Sequence, residues 1–307
     1  MNANKAESVG IIGLGAIGGG VARSMLAAGV DVTGCDISAE AVAAFTEAGG
    51  KAVDAPAGLG ETCGIVFLFV VNAVQARDVL FGSGKLAEAL GKGGVVVSCV
   101  TMAPEEAISL GDDLARQGIA MLDAPTSGGA ANALAGRTKF MLSGAPDAVA
   151  RARFAIDAAA EPVYEIGDAV GQGSTIKVVH QLLTGVHITT AMEAVALGIR
   201  LGLDPNRIYE VVKGCAGNSW MFENRVPHVL SGDYTPLSAV EIFVKDLGLV
   251  LETGKQARFP LPLAAAAHQQ FLAAAAAGYG REDDAAVIKV YRDLAGLQLP
   301  ADTSKKD

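Results

Sequence analysis

A strand-like run, Ser8-Val9-Gly10-Ile11-Ile12, leads straight into Gly13-Leu14-Gly15-Ala16-Ile17-Gly18, and an acidic residue, Asp36, follows eighteen positions after the last glycine. Each part has a separate task in holding a dinucleotide. Gly13 permits a tight turn, Gly15 lets the backbone approach a pyrophosphate, and Gly18 lets the next helix pack close to the strand. That helix, expected over residues 16–28, directs its N-terminus and the backbone of Leu14, Ala16 and Ile17 at phosphate charge. Residues 31–36 read as a second strand that delivers Asp36, with Ile37 beside it, to the adenosine ribose. A carboxylate there accepts hydrogen bonds from the 2′-hydroxyl and repels a 2′-phosphate, so NAD is expected rather than NADP. The competing reading is a structural βαβ turn that has lost its ligand.

The 307 residues suggest two domains. With 51% hydrophobic and 19% charged residues the chain is not disordered. A net charge of -9 without a basic stripe argues against a nucleic-acid partner. The only basic cluster, Lys305-Lys306, lies in a short polar tail. Cys35, Cys63, Cys99 and Cys215 lack CxxC spacing, and are expected as small buried residues rather than disulfide or metal ligands. No metal site is expected. Residues 1–8 carry no apolar signal-peptide stretch, and the apolar run at 65–71 is too short to span a bilayer. The expectation is a cytoplasmic protein with no membrane partner.

Short β-branched runs at 9–12, 32–35, 65–71, 95–99, 119–122, 139–142 and 163–165 alternate with helical segments such as 39–47, 75–80 and 105–116. This alternation predicts an α/β Rossmann-type domain with a mainly parallel sheet over residues 1–166. Ligands in such sheets lie outside the carboxyl ends of the strands. Val71, Asn72, Thr101 and the segment Asp123-Ala124-Pro125-Thr126-Ser127-Gly128-Gly129 therefore become candidates. After Gly167 the strand signal stops. A long helix is expected at 174–202, followed by helices at 205–213, 219–230, 239–258, 262–277 and 282–295, the last favoured at its start by Asp283-Asp284. Residues 167–307 thus read as an all-α substrate and oligomerisation domain. Its Ala-rich stretches allow close helix packing, and a homodimer or homotetramer is expected.

The helix from Ser174 carries apolar residues around most of its circumference, which predicts burial. Within that surround Lys177, His180, Gln181 and Thr184 share one face. A buried ammonium is costly unless paired, so Lys177 needs a partner or a chemical role; a structural lysine reaching the surface is the alternative. Ser127 offers a hydroxyl, and Gly128 and Gly129 expose amides in a turn that suits a carboxylate, or form only a tight turn. His187 is expected as a satisfied core histidine and Trp220 as helix-packing core, while His228 and His268 have no nameable partner.

The glycine fingerprint, residues 123–129, Gly171-Gln172-Gly173-Ser174-Thr175-Ile176-Lys177 and Lys245-Asp246-Leu247 occur in an order that resembles the β-hydroxyacid dehydrogenases. The resemblance covers residues 9–295. Residues 177–183 and 217–225 look most like the L-threonate branch of that family. His180 departs from the asparagine that many members carry three residues after the catalytic lysine. This puts 3-hydroxyisobutyrate and tartronate semialdehyde in doubt as substrates.

The resemblance implies NAD-dependent oxidation of a small hydroxy acid, L-threonate at C2, with hydride passing to the cofactor. Ser127, Gly128 and Gly129 would hold the substrate carboxylate, and Lys177 would take the hydroxyl proton. His180, Gln181 and Asp246 would meet the substrate, Thr101 the cleft and Lys245 the nicotinamide side. An unperturbed lysine titrates near ~10.4, and desolvation would bring Lys177 down toward a useful base. The alternatives are a family member acting on another short acid, and an NAD-binding regulatory protein without turnover.

Overall fold

The computed structural model describes residues 8–300. The Lys305-Lys306 pair and the residues before Ser8 lie outside them. The chain divides into two compact units, Met1–Lys177 and Val178–Asp307.

The first unit alternates strand and helix: β1 (Val9–Ile12), α1 (Gly18–Ala27), β2 (Val32–Cys35), α2 (Ala39–Glu47), β3 (Lys51–Ala52), α3 (Pro56–Thr62), β4 (Ile65–Leu68), α4 (Ala73–Phe81), α5 (Leu86–Leu90), β5 (Val95–Ser98), α6 (Pro104–Ala115), β6 (Ala120–Asp123), β7 (Thr126–Ser127), α7 (Gly129–Leu134), β8 (Thr138–Ser143), α8 (Pro146–Asp157) and β9 (Ala160–Gly167). The sheet runs β3-β2-β1-β4-β5-β6-β8-β7, with β9 beside β8. Strands β1 to β6 pair in parallel, whereas β8 runs antiparallel to β6 and β7. Alternate residues of β4 serve opposite faces. Ile65 and Phe67 join one apolar cluster and Val66 and Leu68 the other. Both faces are therefore covered, as a parallel sheet requires.

A long helix, α9 (Gln172–Arg200), begins in the first unit and continues into the second. There it is followed by α10 (Pro205–Lys213), α11 (Trp220–Ser231), α12 (Val240–Gln256), α13 (Pro262–Ala274) and α14 (Ile288–Ala295). Among the described residues α9 alone is long and apolar enough to cross a membrane by length and composition. Its Ile188, Met192 and Val195 instead pack without exposure into the core of the helical unit.

Several boundaries differ from the sequence expectation. The strand expected at 65–71 ends at Leu68, because Asn72 turns the chain by capping α4 through its side-chain oxygen. The helix expected at 262–277 gives way after Ala274 to a π turn containing Gly278 at φ +94. The last helix begins as a 3₁₀ turn, Asp284–Val287, capped by the Asp283 side chain.

Candidate active site

The glycine turn has the shape its residue types require. Gly13 sits at φ +89, and a Cβ there would lie 2.5 Å from the Phe69 carbonyl oxygen. A Cβ on Gly18 would overlap the Gly13 carbonyl oxygen and the Phe69 ring, so α1 packs on the strand end only as glycine. Nothing lies within 4 Å of the Cβ position of Gly15, which leaves room beside its backbone. No side chain caps α1, so its N-terminal dipole has no internal counter-charge of that kind. Asp36, at the end of β2, accepts hydrogen bonds from the amides of Leu14 (2.6 Å) and Ser38 (2.7 Å). A positive-φ turn, open space at the second glycine, an uncapped helix start and an anchored carboxylate together fit a dinucleotide. Ile37 is fully exposed beside Asp36, and Val71 is exposed after β4.

Helix α1 is tied to the serine-glycine-glycine turn by close packing. A Cβ on Gly20 would meet Ala133 of α7 at 2.8 Å. Helix α7 starts at Gly129, directly after Ser127 and Gly128, and the two glycines lie at φ +123 and +73. Asn132 donates to the Gly128 carbonyl at 2.8 Å and closes the turn.

Two matched contacts, three residues apart in each segment, hold α9 against this turn. Asp123, fully buried, accepts from the amides of Gly171 (3.0 Å) and Ser174 (2.7 Å) and from the Ser174 hydroxyl (2.8 Å). Three residues on, the Thr126 carbonyl accepts from Lys177 Nζ at 2.8 Å. Gly173 between them has no room for a side chain, since its Cβ would lie 2.5 Å from the carbonyl oxygens of Asp123 and Met141. Burial pushes the Asp123 carboxyl up, and the hydrogen bonds from Ser174 and Gly171 oppose that rise. Lys177 itself is 7% exposed. Its amine is thus set beside Ser127, in a site that limits water.

The helical unit holds a second set of the expected residues. Asp246 on α12 is buried, with Lys245 Nζ 2.7 Å from its Oδ1. Gln181 Nε2 donates to Asp246 Oδ2, and His180 Nδ1 lies 2.8 Å from Gln181 Oε1. Thr184 donates to the His180 carbonyl at 2.8 Å. His180, Gln181 and Thr184 of the shared face therefore join Asp246 and Lys245 in a connected polar chain, which the sequence spacing alone did not show.

Other expectations are corrected or narrowed. Helix α9 is not buried all round. Val179 and Leu183 are about half exposed, because Lys177, Gln181 and Ile188 occupy the inward faces. Trp220 is 64% exposed rather than core, since it opens α11 immediately after its Ser219 cap. Asn72 has its side-chain oxygen engaged by Gln75, while Thr101 stands half-buried in the loop after β5. Cys35, Cys63 and Cys99 are buried and Cys215 is exposed; burial raises the thiols of Cys35 and Cys99. His228 and His268 lie against the carbonyls of Asp233 and Val244. Sequence reasoning missed the bracing roles of Asp123, Ser174 and Thr126. A serine at a helix start was the available signal for Ser174. A carbonyl partner leaves none.

A glycine turn with an anchored carboxylate, of a shape that fits a dinucleotide, defines the class as that of dinucleotide-binding proteins. Residues 8–167 match the NAD-binding domain of 6-phosphogluconate dehydrogenase, and residues 171–291 match the NAD-binding segment of NADP-dependent 3-hydroxyisobutyrate dehydrogenase. The L-threonate dehydrogenase of Cupriavidus necator is 52% identical over 96% of this chain and 98% of its own. That of Haemophilus influenzae is 47% identical over 97% and 98%. A Salmonella typhimurium crystal structure, described as 3-hydroxyisobutyrate dehydrogenase, is 47% identical with a TM-score of 0.87, covering 92% of this chain and 99% of that one. The chain belongs to the 3-hydroxyisobutyrate dehydrogenase-related family of β-hydroxyacid dehydrogenases, and is a hydroxyacid dehydrogenase that uses a nicotinamide cofactor.

Proposed function

We propose that the chain oxidises L-threonate at C2 to the 2-oxo acid, with NAD as the cofactor and Lys177 as acid and base. The observation that carries this reading is the Lys177 amine, 7% exposed and held by the Thr126 carbonyl next to Ser127. Relatives that bear the name L-threonate dehydrogenase, 46–52% identical over nearly the whole chain, support the choice of acid.

In this reading the Ser127 hydroxyl and the amides of Gly128 and Gly129 hold the substrate carboxylate. Lys177 Nζ hydrogen-bonds the C2 hydroxyl and takes its proton as the C2–H bond breaks and the C2–O bond becomes a carbonyl. In the reverse direction the same group returns the proton. The bound nicotinamide supplies one thing, acceptance of the hydride from C2. Gly13 to Gly18 hold the pyrophosphate, and Asp36 meets the ribose diol in preference to a 2′-phosphate. Ile37, Val71, Asn72, Thr101 and Lys245 line the cofactor, whereas His180, Gln181 and Asp246 serve the substrate. Division of labour at the 166/167 boundary follows, with the helical part carrying substrate selectivity. A cytoplasmic homodimer or homotetramer completes the proposal. The half-exposed Val179, Leu183 and Leu197 on α9 support the oligomer, and light scattering showing a single-chain mass would refute it.

Absorbance at 340 nm during incubation with NAD and a panel of hydroxy acids tests the activity. L-threonate should give the highest kcat/KM, and no reduction with any acid would leave only the dinucleotide fold. Lys177→Ala should lower kcat by roughly 10²–10⁴-fold, the usual range for a lost acid/base group, while NADH affinity changes by less than about twofold. Equal loss of both would make the lysine structural.

A further inference from the structure

Helices α1 and α7 approach each other more closely than a side chain on α1 would allow. A Cβ on Gly20 would lie 2.8 Å from the Ala133 Cβ, 2.9 Å from the Leu134 amide nitrogen and 3.1 Å from the Ala133 carbonyl carbon. Two of those atoms are backbone, so relief requires movement of α7 rather than a change of rotamer. One turn along α1, Ser24 meets the chain again: a Cβ on Gly136 would lie 2.8 Å from its Oγ. That hydroxyl is itself fixed, since it donates to the Ala158 carbonyl at 3.0 Å. Gly20 and Ser24 share one face of α1, so a single face abuts both α7 and the residues just after it. Ala133 is 1% exposed and belongs to the apolar cluster that contains Val21 and Met25 of α1.

Helix α7 begins at Gly129, about one turn before Ala133. Asn132 clasps the Gly128 carbonyl at 2.8 Å, so a shift of α7 carries the turn with it. The entrance to the turn is set separately, by the pairing of Thr126 with Phe140 and of Ser127 with Lys139. We infer that Gly20 is a positioning residue for the substrate: by admitting Ala133 against the bare backbone of α1, it sets where the Gly128 and Gly129 amides stand. The inference rests on the reading above, in which that turn holds the substrate carboxylate. In the same reading the start of α1 faces the pyrophosphate, so one helix serves as the template for both ligands. Protein interiors are close-packed and transmit strain. One methyl added at Gly20 therefore displaces α7, and small misplacements of binding groups are costly to a bound substrate.

Two readouts separate the inference from the reading beneath it. Hydrogen exchange followed by mass spectrometry is independent of turnover: Gly20→Ala should speed exchange over residues 127–135 by about fivefold or more and leave residues 9–17 within about twofold. Unchanged exchange over 127–135 would overturn the inference even if L-threonate is oxidised. Steady-state kinetics is the second readout. Gly20→Ala should raise KM for L-threonate by about tenfold or more, with kcat and the NADH dissociation constant each within about threefold. Adding Ala133→Gly removes one of the three overlaps, and Gly20→Ala/Ala133→Gly should recover part of the loss in KM. Ala133→Ser, which enlarges the same contact from the side of α7, should raise KM as well and serves if the first variant folds poorly. Equal weakening of NADH and L-threonate would show a general loosening of the unit and overturn the positioning role, as would faster exchange with unchanged KM. Absence of oxidation by the wild type with every acid overturns the functional reading and the substrate half of this inference with it, and the exchange result then decides whether Gly20 sets the turn.

Discussion

Both oxygens of Asp36 accept a backbone amide, one from Leu14 in the glycine turn and one from Ser38. Each carboxylate oxygen has two lone pairs, so a ribose diol can be met without breaking either bond. In the proposed reading the side chain therefore has two separable tasks, bracing the turn and reading the ribose. Asp36→Ala removes both, and hydrogen bonds to a charged group contribute about 1.5–3 kcal/mol. NADH should bind roughly tenfold or more weakly, with NADPH losing much less or gaining, as read by fluorescence titration of each. Equal weakening of the two would leave only the bracing task. At this scale Gly13 and Gly18 were legible, because a positive φ or an excluded Cβ admits one residue type. The partners of Lys177 and Gln181 were not. One is a backbone carbonyl and the other lies 65 positions away, and no local periodicity encodes either.

Helix α9 is set in rotation and height by its first turn, where Asp123 receives three hydrogen bonds. Lys177 lies one turn further on, so any slip of that turn moves its amine away from Thr126. Asp123→Ala would strand the Gly171 and Ser174 amides and the Ser174 hydroxyl in a buried place, at about 1–3 kcal/mol for each unsatisfied group. We expect kcat to fall at least tenfold with a clear loss of stability. Asp123→Asn should recover most of both, since its oxygen serves the amides while the Ser174 hydroxyl turns to accept from its nitrogen. Unchanged kcat in the alanine variant would show that α9 is held by other contacts. Elements such as α2 and α10 were legible to the residue from capping and proline signals. The two-residue strands β3 and β7 were not, because a pair of ladder residues carries no period.

Each unit of the molecule has its own apolar core, and that of the helical unit contains an ionic insertion. Arg225 is 6% exposed and bonds both oxygens of Asp284 through Nε (2.5 Å) and Nη2 (3.1 Å), with Asp283 Oδ1 3.8 Å from Nε. Two carboxylates thus share one guanidinium away from water. Asp283-Asp284 was legible as a helix start, but its partner lies on α11 and gave no sequence signal. Burial pushes Asp284 from its ordinary 3.8 up to about 7, with Asp283 adding to the rise and Arg225 opposing it. A folded-state value above the unfolded one means that the native protein binds a proton which the unfolded chain has released. The resulting stability is complete below about pH 4 and is lost as pH rises through 7. Urea unfolding of the wild type and of Asp284→Asn isolates this contribution, because the amide cannot titrate. The stability of the wild type relative to the variant should fall by up to about 1.4 kcal/mol per pH unit between pH 5 and 7 and level off above 8. The carboxylates Asp78, Asp113, Asp233 and Asp293 are held below their usual range, so they act only at lower pH and leave this window clear. A difference that stays constant from pH 5 to 8 would mean that Arg225 keeps Asp284 ionised throughout, and the helical unit would then carry a permanent buried charge excess rather than a titrating one.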